Sequence, residues 1–198
     1  MSGTIQDSMP LARHVVHAGY ASIALGLFGG LWMVMALNSE GWVWLVACVL
    51  LPASLLAVRG VGLVLTGQAL IAADEPRGPR RLRWIFLLEV GAFALAANLL
   101  AASGGNAWLV AVVAFLTAAF LIPVARVLED RLYMITAGTQ IVLCAVVSLI
   151  MRGRIELADP IFGLVMGLSL WLTAVALLLR GHRIAGLLKT PGPSAAAS

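Results

Sequence analysis

An all-α, polytopic transmembrane bundle of six helices is the fold class this sequence predicts, and three observations predict it. Six long apolar stretches fill most of the 198 residues. Hydrophobic residues make up 62% of the chain and charged residues 11%, too little polar surface to cover a water-soluble domain of this size. The breaks between the stretches are short and polar or glycine-rich, so no loop can form a separate domain.

The stretches run Val15–Leu37, Trp42–Ala73, Trp84–Ala102, Trp108–Val127, Leu132–Met151 and Ile161–Leu179. Each meets the requirement of about 20 apolar residues for a hydrocarbon core roughly 30 Å thick. Residues 1–13 are expected outside the bundle, and 1–189 to form a single domain followed by a flexible tail of small residues over 190–198. The polar lead-in runs into a full-length span without a small-residue cleavage site, so the first helix is expected to stay as an uncleaved anchor.

The second stretch is the anomaly. Its 32 residues would make a straight helix of about 48 Å, with Pro52 and the Gly60-Val61-Gly62 glycines as places to bend. The expected outcome is a long helix that is kinked or tilted, or a span followed by a segment along the interface. Thr66 and Gln68 lie just beyond the expected bend, where a broken helix exposes backbone groups to an ion or polar solute. Ordinary interhelical hydrogen bonds would employ the same side chains.

Basic residues set the orientation. With both termini cytoplasmic, the inner side collects Arg13, Arg77, Arg80, Arg81, Arg83, Arg126, Arg131, Arg180, Arg183 and Lys189, against Arg152 and Arg154 outside. Trp42, Trp44 and Trp108 then fall at the outer interface and Trp84 at the inner one, as amphipathic rings prefer. A bacterial inner membrane is the expected location. The lipid bilayer, with anionic head groups on the cytoplasmic side, is the expected partner of a chain with pI ≈ 9.8. No stacking aromatics accompany the basic loop, so no nucleic acid is expected. Cys48 and Cys144 lie inside spans and read as small packing residues.

Two charges sit where lipid tolerates them badly. Arg59 lies within the second span and Glu89 about five residues inside the third. An arginine at helix centre costs roughly 2.5–3.5 kcal/mol on insertion scales. On the charge-derived topology the two lie at similar depth, so an Arg59–Glu89 pair is expected, as a structural ion pair or a transport site, with snorkelling to the lipid head groups without pairing as the alternative. Asn98 and Gln140 are further candidates for bonds between helices. His14 and His17 share a helical face at the inner end of the first span, and His182 lies at the inner end of the last. Together they are the weak candidates for a metal or haem site, since zinc needs three or four ligands. Gly26/Gly30 and Gly163/Gly167 have the GxxxG spacing that lets helix backbones approach, so the first and sixth helices are expected to pack tightly, against each other or another subunit.

Residues Phe120-Leu121-Ile122-Pro123-Val124-Ala125-Arg126, followed by Tyr133 and Thr136-Ala137-Gly138, resemble a signature of uncharacterised bacterial six-helix integral membrane proteins. The family pattern reads His-Phe-Leu-Pro-Leu-Ala, then a tyrosine and a glycine. Phe120 stands at the position of its histidine. The match covers about 20 residues and implies a hairpin of the fourth and fifth helices without implying an activity.

The sequence contains no P-loop, dinucleotide loop, HExxH site, GxSxG elbow or paired carboxylates, and no cofactor is expected. The leading reading is a non-enzymatic membrane protein, an oligomeric or accessory scaffolding bundle within itself or a larger membrane complex. The alternative is a transporter or channel for a small solute or ion, using Arg59 and Glu89. A second alternative is an intramembrane enzyme or a metal- or haem-binding protein.

Overall fold

The computed structural model describes residues 3–39, 43–69 and 80–189. Among these residues it contains six α-helices: α1 Gly3–Ser39, α2 Val43–Gln68, α3 Arg80–Ser103, α4 Leu109–Leu128, α5 Arg131–Ile150 and α6 Asp159–Lys189. Short 3₁₀ turns, Asn106–Trp108 and Ile155–Ala158, precede α4 and α6. The expectations for Trp42, for residues 70–79 and for the 190–198 tail lie outside the described residues.

The all-α bundle is as the composition requires. Among the described residues five helices are long and apolar enough to cross a membrane: Leu11–Leu37, Leu45–Gln68, Leu109–Leu128, Arg131–Ile150 and Asp159–Leu188. The apolar part of α3, Leu87–Ser103, is shorter. At 1.5 Å per residue its 17 residues reach about 25 Å, the low end of what can span.

Local chemistry sets the helix ends. Gly104, at φ +72°, turns the chain after α3, while the Gly105 N–H reaches back to Leu100 O at 2.8 Å. That is a Schellman closure, and it needs a residue free to enter the left-handed region. Glu129 takes a left-handed φ of 53° between α4 and α5. Asp130 then caps α5, its carboxylate accepting from the Leu132 N–H at 3.0 Å. Asp159 and Pro160 open α6, where an acidic group complements the helix dipole and proline loses no bond.

α1 and α6 form the axis of the molecule. α2 packs on α1 and α6, α5 and α4 pack on the other side of α6, and α3 rests on α4. Phe162, Met166 and Leu170 of α6 are fully buried at the centre, with Trp32 from α1, Ala114 and Leu121 from α4, and Ala137 and Cys144 from α5. α3 has no fully buried residue among its described side chains.

Small residues stepping by seven bring α1 and α2 together. A Cβ added to Gly60 would lie 2.7 Å from Gly19 O, and one added to Gly67 would lie 3.3 Å from Ala12 O. At Gly26 the added atom would meet Leu56 Cβ at 2.9 Å, with Ala53 O beyond it at 3.7 Å. Ala12, Gly19 and Gly26 of α1 thus face Gly67, Gly60 and Ala53 of the antiparallel α2, a heptad register on both sides. A strict seven-residue repeat gives left-handed supercoiling with crossing angles near +20°. A second seam, three residues on, faces α6: Ser22 Oγ donates to Ala174 O at 3.1 Å, and Gly29 stands against Gly167.

The expected tight packing of the first and sixth helices is therefore present, with one correction. Gly163 and Gly167 face α1, against Trp32, Ala36, Gly29 and Met33, but Gly26 and Gly30 face α2. Two residues at i and i+4 occupy one face only, and on α1 that face belongs to the α2 seam.

The second helix is long, as expected, and among the described residues it is one continuous helix. α2 runs without interruption through Pro52 and Gly60 to Gln68, so it is not broken there. Its 26 residues measure about 39 Å, which modest tilt accommodates. Gly60 serves close approach to α1, which is why a glycine stands mid-helix. Ala12, expected outside the bundle, is 1% exposed because α1 already packs against Gly67 at that level.

Candidate functional site

Polar side chains gather at one end of the bundle, where α1 starts, α4 turns into α5 and α6 nears its end. His14 and His17 of α1, Asp130 of the turn, Tyr133 of α5 and Arg180 of α6 line a crevice of about 30 Å³, closed by Ala18, Leu128, Leu177, Gly181 and Ile184. Such a volume holds one or two water molecules. Asp130 organises it: one carboxylate oxygen caps α5, and the other accepts from Arg180 Nη1 at 3.0 Å. The same side chain thus starts a helix and ties the α4–α5 turn to α6. Tyr133 is 5% exposed beside it.

A line of polar groups leads inward from the crevice between α5 and α6. The hydroxyls of Thr136 and Thr173 meet across the interface. One turn deeper, Gln140 Nε2 donates to Ser169 Oγ at 2.7 Å. Tyr133, Thr136, Gln140 and Cys144 recur at helical spacing, so α5 presents one partly polar stripe to α6. Gln140 is fully buried and its Oε1 has no hydrogen-bond partner among the described residues; the buried Thr117 hydroxyl of α4 has none among them either. Unsatisfied buried acceptors are rare in native interiors and call for a water or ligand.

The three histidines do not converge. His14 and His17 share the crevice, whereas His182 is exposed and its Nδ1 lies 2.9 Å from Leu178 O of its own helix. Position 182 is one residue beyond Gly181, which faces Leu63 of α2 and Ala18 of α1, and this turns His182 away from the crevice. Among the described residues no three His, Cys, Asp or Glu side chains are grouped closely enough for a metal ion.

The expected Arg59–Glu89 pair is not formed. α2 and α3 make no contact among the described residues, because α2 packs on α1 and α6 while α3 packs on α4. Arg59 is exposed and Glu89 half-buried at the perimeter. Equal depth, which the sequence supplies, does not imply adjacency around the bundle. The remaining candidates serve their own helices or the edge. Thr66 donates to Gly62 O at 2.9 Å and Asn98 to Ala94 O at 2.7 Å, while Gln68 Nε2 reaches Tyr20 Oη at 3.4 Å. Of the secondary candidates, Gln140 is the one placed in the interior.

Asp130, Tyr133, Arg180, Thr136, Thr173 and Ser169 were not singled out by sequence reasoning as site residues. A signal existed for Asp130, an aspartate directly before an apolar helix, which is an N-cap pattern. The Thr136–Thr173 and Gln140–Ser169 pairings join residues 37 and 29 positions apart, and no spacing rule reports them. No protein family, curated protein or solved structure matches this chain, whose shown identity is that of a helical, multi-pass membrane bundle.

Proposed function

We propose that this chain is a non-enzymatic subunit of a membrane assembly, acting through lateral association of its perimeter helices. The observation that carries the reading is the placement of polar groups. Ser22, Thr136, Gln140 and Thr173 are buried inside the bundle, yet Arg59, Glu89 and Asn98 stand on the outer helices α2 and α3. Ionisable side chains within spans turn to protein or water rather than lipid. α3, which carries two of these groups, is held by α4 and has no fully buried described side chain. A protein neighbour against α2 and α3 satisfies both facts. The arginine distribution supports a bacterial inner membrane with both termini cytoplasmic.

The test is the mass of the chain in lipid. In nanodiscs or native membranes the protein is expected to run as a complex larger than its 20.8 kDa monomer. A monomer at every protein-to-lipid ratio, with no other chain captured by cross-linking, rejects the reading.

A second reading has one observation behind it. The crevice and the unsatisfied Gln140 Oε1 lie on one stripe of α5, an arrangement that fits a short hydrated proton path. Proteoliposomes with pH and membrane-potential readouts test it: a proton flux lost in Gln140→Leu supports conduction, and leakage equal to empty vesicles rejects it.

A further inference from the structure

We infer that the neighbour is a second copy of this chain, docked so that α2 of one copy lies along α3 of the other and Arg59 pairs with Glu89 of the second copy. This rests on the assembly reading above and names its partner.

Three observations converge. α2 and α3 are the two edges of the helix array, each packed on its own side and neither touching the other. The edges carry opposite charges, an exposed arginine and a half-buried glutamate, and neither takes part in an ion pair among the described residues. Their depths match. Arg59 lies nine residues before the end of α2 at Gln68 (68 − 59), and Glu89 lies nine residues after the start of α3 at Arg80 (89 − 80). Both charges therefore sit about 14 Å along the helix axis from the same end of the bundle.

Space is also available. A Cβ added at Gly62, one turn from Arg59, or at Gly91, two residues from Glu89, would meet nothing within 4 Å. Gly19, Gly60 and Gly167 are by contrast filled by a neighbouring helix, while Gly138 and Gly186 are open like Gly62 and Gly91. Small residues at a helix surface in lipid permit close approach of another helix. An α2 edge from one copy against an α3 edge of the next places Gly62 near Arg59's partner helix, and equal and opposite charges at equal depth specify the register. A two-fold dimer would form the pair twice; a head-to-tail arrangement would form it once per contact.

The experiment uses the full chain with Cys48 and Cys144 replaced by serine, measured for association in lipid nanodiscs. Arg59→Glu and Glu89→Arg are each expected to weaken self-association about tenfold or more, and the double reversal to restore it to within about threefold. Arg59→Gln and Glu89→Gln, which insert more readily than reversed charges, are expected to weaken it in the same direction. Two differently tagged copies, one bearing Arg59→Cys and the other Glu89→Cys, are expected to cross-link to each other.

Association unchanged in all four single variants overturns the pair while leaving the assembly reading intact. Wild-type protein that assembles with another chain and never with itself overturns the second copy alone. Wild-type protein that remains monomeric and captures nothing overturns both. A cross-link that forms within one chain carrying both cysteines, and never between tagged copies, also overturns the inference.

Discussion

Alanine at Gly60 probes the α1–α2 seam at its tightest point. The added Cβ would stand 2.7 Å from Gly19 O and 2.7 Å from Ile23 Cγ1. Ordinary contacts lie at about 3.5–4.0 Å, so α1 must withdraw by most of an ångström. The Gly19 carbonyl is backbone in a helix and cannot rotate away. A radial gap of that size forfeits about a quarter to a half of each dispersion contact along the seam. Overpacking of this kind costs about 1–3 kcal/mol. Gly62→Ala is the matched control: it lies two residues away on the same helix, and its Cβ meets nothing within 4 Å. There the helix-propensity gain of about 0.5–1 kcal/mol acts alone. The propensity gain is common to both variants and cancels, so they should differ in unfolding free energy by the overpacking cost, about 1–3 kcal/mol. Circular dichroism during SDS titration or heating in mild detergent measures the difference. A Gly60→Ala protein as stable as Gly62→Ala would refute the seam.

Other substitutions separate the roles of single groups. Asp130→Ala removes both the α5 cap and the Arg180 partner and is expected to cost about 1–2 kcal/mol, whereas Asp130→Asn keeps the cap and should lose only a few tenths. Equal losses in the two variants, read by the same unfolding titration, would show that the cap contributes nothing. Gln140→Met removes a buried oxygen without a partner, and Ser169 keeps its own bond to Met166 O. Stability should stay within about 1 kcal/mol of wild type, and a loss above about 2 kcal/mol would reveal an ordered water or ligand at Oε1. Trp171→Phe keeps an aromatic ring but loses the pyrrole edge and with it the 2.9 Å bond from Nε1 to Gly26 O, the bond alone being worth about 0.5–1.5 kcal/mol and the lost packing adding to it. Chemical unfolding of Trp171→Phe beside Trp171→Ala, which also removes the packed ring, checks that ordering.

Several local features were legible because they depend on neighbours in the chain. The polar breaks foretold the helix ends, and the Gly104-Gly105 pair supplies the left-handed turn that closes α3. Gly163 and Gly167 mark a packing face of α6 and Gly26 and Gly30 one of α1, but the spacing does not say which helix each face meets: α1 for the first pair and α2 for the second. The length of the second apolar run predicts a long helix, and Gly60, which the sequence offers as a place to bend, admits Gly19 of α1. A mid-helix glycine has the same sequence appearance in either role, since the deciding atom belongs to another helix. The heptad steps Ala12-Gly19-Gly26 and Ala53-Gly60-Gly67 are visible in the chain, but they acquire meaning only when set antiparallel to each other.

The sequence by itself determined the solvent, the helix count and the depth of each residue along its helix. Those properties follow from hydropathy and a fixed rise per residue, and both are local. The tertiary structure alone decided which helices are neighbours, and with that the fate of every charged or polar candidate. It separated Arg59 from Glu89, removed His182 from the other histidines, and joined Asp130 to Arg180 and Gln140 to Ser169. The physical reason is that lipid is as apolar as the helix faces, so hydrophobicity cannot choose partners inside a membrane. Close steric fit of small residues and a few interhelical hydrogen bonds make that choice, and both depend on two surfaces at once.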